Sequence, residues 1–276
     1  MEPVYAGVIA LGRVVLRRLD LTVRASGTEH LPTRGPVVLA STHVSFPDFA
    51  FIGRALLDGP PDVRRRRVRF LCRHDIWDSP AGPAMTAMRH VPVDREAPAA
   101  AYLAARRLLR AGEAVCLFPE AGISAAYVTR ALMPGAVALA RETGAPLVPV
   151  TTWGGQRLWG QKRSVEEPLP RPLLTRGRTV DVVLDAPWHV PPDADVVATT
   201  RRLGEHLHAR LEELQRRPEH RPRPGEWAPW YPAHLGGDAL PRAASFALDA
   251  MPRSAVLPSW GPDAPVGAAA GTRVER

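Results

Sequence analysis

The sequence predicts a single α/β domain on a mostly parallel or mixed sheet covered by helices, with an amphipathic helix before it and an irregular tail after it. Three observations predict this class. Short β-branched runs bounded by Gly or Pro recur along the chain at the length of buried strands. Segments with apolar residues at helical spacing alternate with them, the pattern of a sheet covered on both faces. The 276 residues are 45% hydrophobic, enough to build a substantial core.

The opening MEPVYAGVIALGRVVLRRLDLTV is apolar but interrupted by Arg13, too short to span a bilayer, and shows no small-residue cleavage signal. A helix over residues 4–19 sets Val4, Val8, Leu11, Val15 and Leu19 on one stripe and gathers Arg13, Arg17 and Arg18 toward its basic end. Such a helix either packs on the domain or lies in a membrane interface, its arginines meeting anionic head groups. GPVVLAST, residues 35–42, reads as a buried strand, with His43 at or just past its carboxyl end. Residues 48–57 read as a helix. The four arginines at 64–67 read as a solvated loop ahead of a short strand over 68–72. A helical segment around 80–89 leads into RHVPVDRE, a short strand ending at Asp94 and Arg95.

APAAAYLAARRLLRAG forms a helix closed by Gly112, and EAVCLFPE follows as a strand. Residues 134–143 suggest a helix, and 146–152 and 178–184 two more strands. Leu203, Leu207, Leu211 and Leu214 mark a final amphipathic helix between Asp193 and Arg217. Beyond Pro218 the composition turns to Pro, Arg, Gly and Ala without periodicity, so residues 218–276 are expected to be largely irregular and the last fifteen mobile. The organisation expected is an N-terminal helix in 1–25, a core domain in 26–217 and an irregular extension in 218–276.

A net charge of +8, with Lys162 the only lysine, suits an acidic partner such as nucleic acid, an anionic membrane or a phosphorylated ligand. Neither the arginine run 64–67 nor the Arg/Pro segment 216–224 carries interleaved aromatics for base stacking, which argues against nucleic acid. A nonenzymatic, basic nucleic-acid-binding protein is therefore the alternative from a different class. Cys72 and Cys116 lie far apart and form neither a disulfide framework nor a metal pair, which fits a reducing compartment. Cys72 with His74, and His206 with His208, do not converge as zinc ligands, so no metal is expected. No nucleophile elbow occurs, since Ser124 sits in GISAA, and the Rossmann and P-loop fingerprints are missing.

Ligands of α/β sheets gather outside the carboxyl ends of strands, and three such ends carry polar residues here. They are His43 with Asp48, Asp94 with Arg95, and Glu120 with the Gly122 turn. On one continuous helix a five-residue separation rotates two side chains by roughly 140°, so His43 and Asp48 meet only across a turn, which Pro47 supplies. Asp48 then fixes the imidazole tautomer and stabilises the imidazolium. The same residues also read as a capping box, with Ser45 as N-cap, Asp48 at the third helical position and His43 in the core. The pair alone does not choose between these readings.

Four ordered blocks resemble the glycerolipid acyltransferase family, typified by bacterial 1-acylglycerol-3-phosphate acyltransferases. HVSFPD matches its HxxxxD motif, VPVDR at 91–95 its aspartate-arginine strand end, FPEAG at 118–122 its glutamate motif, and LVPVTT at 147–152 its valine-proline strand. Order and spacing agree over residues 36–152. The resemblance implies a glycerol-3-phosphate acyltransferase-like fold, with His43 as general base and Asp48 as its orienter. Asp94, Arg95, Glu120, Gly122 and Arg130 would bind substrate. No cofactor or metal is implied; acyl-CoA or acyl-carrier protein would serve as co-substrate. The acceptor would be a lysophospholipid, 1-acylglycerol-3-phosphate giving phosphatidate, and the enzyme would be cytoplasmic, peripheral to the inner face of the cell membrane. Two departures bear on the acceptor. Ile123 stands where the family has arginine, and Met133 and Pro134 precede Gly135 where a lysine often occurs. Arg130 is the candidate replacement, and a non-phosphorylated acceptor is the alternative.

Overall fold

The computed structural model describes residues 3–64, 66–249 and 256–261. Seven strands form one sheet: β1 (Thr22–Ser26), β2 (Val37–Ser41), β3 (Val68–Arg73), β4 (Val91–Val93), β5 (Ala114–Leu117), β6 (Leu147–Trp153) and β7 (Thr179–Leu184). Their order is β1-β7-β6-β2-β5-β3-β4. The block from β6 to β4 is parallel. β7 runs antiparallel to β6, and β1 runs parallel to β7, so the sheet is mixed with two reversed strands at one side. Within the parallel block all carboxyl ends therefore open on one edge.

Both faces are covered because successive side chains of a strand point opposite ways and both sets here are apolar. Val37 and Leu39 of β2 face α2 (Asp48–Leu56) and α4 (Gly82–Ala87), joining a core with Phe51, Ile52, Phe70 and Met85. Val38 and Ala40 face the other way. They meet α5 (Ala99–Arg110), α6 (Gly135–Thr143) and, beyond the single turn α7 (Gln156–Trp159), α8 (Val196–Gln215), in a core with Leu109, Leu139 and Leu203. Cys72 and Cys116 are buried, free thiols.

The first helix, α1 (Pro3–Arg18), packs Tyr5 and Leu16 against the domain, as does Leu19 just beyond it. The rest of the expected stripe faces outward: Val4, Val8, Leu11 and Val15 are all exposed, and so is Val14. The arginine run is less solvated than its composition suggests. Arg64 closes the single turn α3 (Pro61–Arg64), Arg66 donates to Gly35 O at 2.7 Å, and the Arg67 guanidinium lies 5.0 Å from the Tyr5 ring centroid.

Strand β1 went unread in the sequence because TVRAS alternates exposed and half-buried positions and has no apolar run. Past Pro218 the described chain is irregular apart from single turns at Pro218–His220, Ala233–Leu235 and Arg242–Ser245. It is nonetheless packed: Ala228, Tyr231 and Ala239 share a third core cluster with Ile123, Trp153, Val183 and Leu211. The Asp181 carboxylate on β7 binds Arg24 of β1 at 2.6 Å, His220 at 2.6 Å and Arg217 at 3.3 Å, clasping this segment to the sheet. The expectation for the last fifteen residues lies outside the described residues.

Candidate active site

β2 ends at Ser41, and the chain leaves the sheet through Thr42 and His43 before turning at Pro47 into α2. Asp48, the first residue of that helix, is fully buried, and its Oδ2 organises the turn. Oδ2 accepts from Val44 N at 2.8 Å, from Ser45 N at 2.9 Å and from His43 Nδ1 at 2.9 Å. Oδ1 accepts from the Ser45 hydroxyl. The helix starts at Asp48 with Pro47 as its N-cap, so the capping-box reading with Ser45 as N-cap, Asp48 at the third position and His43 in the core does not hold; the one carboxylate orders the turn and holds the imidazole. An ionised carboxylate only accepts hydrogen bonds, so Nδ1 is the donor to it, and in a neutral imidazole of that tautomer Nε2 keeps its lone pair. Phe118 stacks on the imidazole with centroids 4.1 Å apart and planes at 22°, which fixes the ring. The His43 side chain is 20% exposed, so the imidazole is reachable from solvent.

The turn after β5 supplies the second part. Glu120 is buried and accepts His43 N on Oε1 at 2.9 Å and Arg130 N on Oε2 at 2.7 Å, tying two strand-end loops together. Burial pushes its carboxyl up to about 8, against the opposing pull of those two N–H groups and the Arg130 charge. Ala121 sits at φ 53, a left-handed conformation that costs a residue with a Cβ about 1 kcal/mol. Arg95, just past β4, donates from Nη1 to Ala121 O at 2.9 Å.

Gly122 is where the cations converge. A side chain begun there would meet the Arg130 guanidinium and lie 3.6 Å from Arg95 Nη1, so the two guanidiniums flank this glycine. Burial, and then the charges of Arg73 and Arg130, lower the pKa of Arg95, while burial lowers that of Arg130 against Asp249 and Glu120. Cations crowded and desolvated in this way favour an anion beside them.

The structure therefore brings His43, Asp48, Arg95, Glu120, Gly122 and Arg130 to one sheet edge. Asp94 is exposed, and its Oδ1 accepts Glu96 N at 2.9 Å and Ala97 N at 3.4 Å, which serves the local turn. Ile123 points into the third core cluster beside Val44, Tyr127 and Trp153 and brings no charge to the site. Phe118 was read in the sequence only as part of the third strand end and the FPEAG block, and Asp249 was not read at all. Phe118 stacks on the imidazole, and Asp249 binds the turn from far along the chain: its carboxylate accepts Ser124 Oγ and Ala125 N. Among the described residues no three His, Cys, Asp or Glu side chains are grouped to hold a metal ion.

Residues 22–153 match the profile of the Acyltransferase family. Two curated relatives named 1-acyl-sn-glycerol-3-phosphate acyltransferase, from Limnanthes alba and Limnanthes douglasii, are each 25% identical over 185 residues, which is 63% of this chain. The chain spans 63% of the length of these relatives. Among solved structures, the 1-acyl-sn-glycerophosphate acyltransferase PlsC from Thermotoga maritima superposes with a TM-score of 0.61 at 18% identity, covering 77% of this chain and 80% of that one. That likeness is one of fold. All four sequence blocks fall within residues 22–153, and three of them bring His43, Asp48, Arg95, Glu120 and Gly122 to one edge of the sheet: it is this stretch of the chain that is similar to the Acyltransferase family.

Proposed function

We propose that this chain is an O-acyltransferase that moves a fatty acyl group from an acyl thioester, acyl-CoA or acyl-carrier protein, to the hydroxyl of a lysophospholipid. The observation that carries this reading is the buried Asp48 carboxylate on His43 Nδ1, set at the same sheet edge as Arg95 and Arg130. Nε2 takes the proton of the acceptor hydroxyl as its oxygen attacks the thioester carbonyl. Asp48 stabilises the imidazolium so formed. The carbon–sulfur bond then breaks, and the thiolate leaves with the proton returned by His43. A thioester is already an activated donor, so no covalent acyl-enzyme is needed.

The names of the curated relatives favour 1-acylglycerol-3-phosphate as acceptor and phosphatidate as product. Arg95 and Arg130 suit its phosphate, arginine forks matching phosphate oxygens. Glu120 positions the two loops, and the two guanidiniums flank Gly122. A second reading, transfer to a non-phosphorylated alcohol, is favoured by Ile123, which brings no cation.

We take residues 26–217 as the catalytic unit, 1–25 as its attachment to the inner face of the cell membrane and 218–276 as an accessory segment. The exposed apolar stripe of α1 beside Arg13, Arg17 and Arg18 supports a peripheral attachment. Among the described residues no helix is long and apolar enough to cross a membrane.

The test is His43→Ala, assayed with acyl-CoA and lysophosphatidate by mass spectrometry of the products. Turnover is expected to fall about 10²- to 10⁴-fold with circular dichroism unchanged. Wild-type turnover by this variant removes His43 from the mechanism.

A further inference from the structure

The turn that follows β5 ends in a set of donors already engaged by this chain's own carboxylate. Asp249 accepts Ser124 Oγ on Oδ2 at 2.7 Å and Ala125 N on Oδ1 at 2.9 Å, one donor to each oxygen. Ser245 Oγ, one helical turn before Asp249, adds a third bond at 2.8 Å and holds the carboxylate in place. Arg130 Nη2 donates to the Asp249 carbonyl, so the cation nearest Gly122 is drawn toward the same residue. Ser124 and Arg130 are both buried, and both belong to the segment that carries Glu120 and Gly122.

A hydroxyl, a backbone N–H and a guanidinium are the donor types that bind a phosphomonoester, and a carboxylate uses the same donors. Two anions do not share one set of donors in a buried site, because like charges at close range repel strongly. We propose that Asp249 is a specificity-determining residue: its carboxylate occupies the donors of Ser124 and Ala125, beside the Arg130 guanidinium held by its backbone carbonyl, that a phosphorylated acceptor would use, and so acts as a built-in competitor of that phosphate.

This inference rests on the acyl-transfer reading for its kinetic consequence, not for its binding consequence. An acceptor phosphate must displace the Asp249 carboxylate, and that displacement adds to the acceptor's KM. A neutral head group makes no such demand. The competitor comes from a segment 125 residues further along the chain than Ser124, so acceptor preference is set partly outside the family's matched domain.

The experiment compares wild type with Asp249→Ala in two assays. In the first, inorganic phosphate is titrated by calorimetry; the variant is expected to bind it about tenfold more tightly. In the second, KM is measured with lysophosphatidate and with monoacylglycerol; the former is expected to fall about tenfold, with the monoacylglycerol value and kcat moving far less. Equal phosphate affinities, or the two KM values shifting together, overturn the proposal. If no acceptor is turned over at all, the acyl-transfer reading fails and the phosphate titration still decides the subsite. Should Asp249→Ala not fold, Ser245→Ala, which removes only one anchor of the carboxylate, is expected to shift phosphate affinity the same way by about threefold. No shift in that folded variant also overturns the proposal.

Discussion

Asp48 divides its hydrogen bonds unequally between its oxygens, and the division decides what an amide would do there. In Asp48→Asn the amide oxygen can replace Oδ2 and keep Val44 N, Ser45 N and His43 Nδ1, while the amide nitrogen faces the Ser45 hydroxyl, which can accept. Orientation and tautomer survive, and only the charge that would stabilise an imidazolium in the proposed mechanism is lost. Turnover is expected to fall about 10- to 100-fold, less than in His43→Ala, with a melting temperature near that of wild type. A loss as deep as that of His43→Ala means the carboxylate does more than orient and charge-balance. His43, Asp48, Arg95 and Glu120 were legible because each sits at a strand end that a β-branched run announces. Asp249 was not, since it lies in a segment without periodicity and meets Ser124 only through the fold. The left-handed Ala121 was equally silent, because backbone strain leaves no trace in residue type when the position is not glycine.

At the scale of elements, the strands of the parallel block were readable for a physical reason. Burial on both faces demands continuous apolar runs, as in β2, β5 and β6, whose residues are all buried. β1 escapes that demand at the sheet's edge and was missed. α1 presents the opposite case: its period is plain in the sequence, but periodicity alone does not say which side the apolar stripe meets. The structure turns Leu11 and Val14 outward, 65% and 54% exposed. Replacing both by Glu should therefore leave the fold intact while weakening co-sedimentation with anionic phosphatidylglycerol vesicles by tenfold or more, given about 1.5 kcal/mol for each large apolar side chain inserted. Undiminished co-sedimentation places the membrane contact elsewhere.

For the whole molecule, the Asp181 clasp joins β1, β7 and the segment after α8, the buried carboxylate and the buried His220 imidazole being met by Arg24 and Arg217 from the surface. Burial alone would raise the Asp181 pKa, but His220 and Arg24 outweigh it and hold the carboxyl at about 2, below its ordinary 3.8. The folded state then binds fewer protons than the unfolded state between these values. The clasp contributes its full stability above the unfolded pKa and loses it as pH falls toward 2. Asp181→Asn is expected to cost about 3 kcal/mol near neutrality, and the gap to wild type should narrow in thermal melts as pH drops from 5 to 2. A gap independent of pH assigns the cost to packing instead of charge.

The strand order also fixes when the pieces of the site can meet. β2 pairs with β5 and β6, not with its neighbours in sequence. His43 and Asp48 are 5 residues apart, His43 and Glu120 are 77, and Ser124 and Asp249 are 125. Closing longer loops costs more chain entropy and rewards it later, so local contacts precede distant ones as the chain collapses. During refolding the histidine turn is thus able to form early, and the Asp249 seat is among the last contacts made. If Asp249 sets acceptor preference as proposed, regain of wild-type acceptor discrimination is expected to lag behind regain of helix signal during refolding.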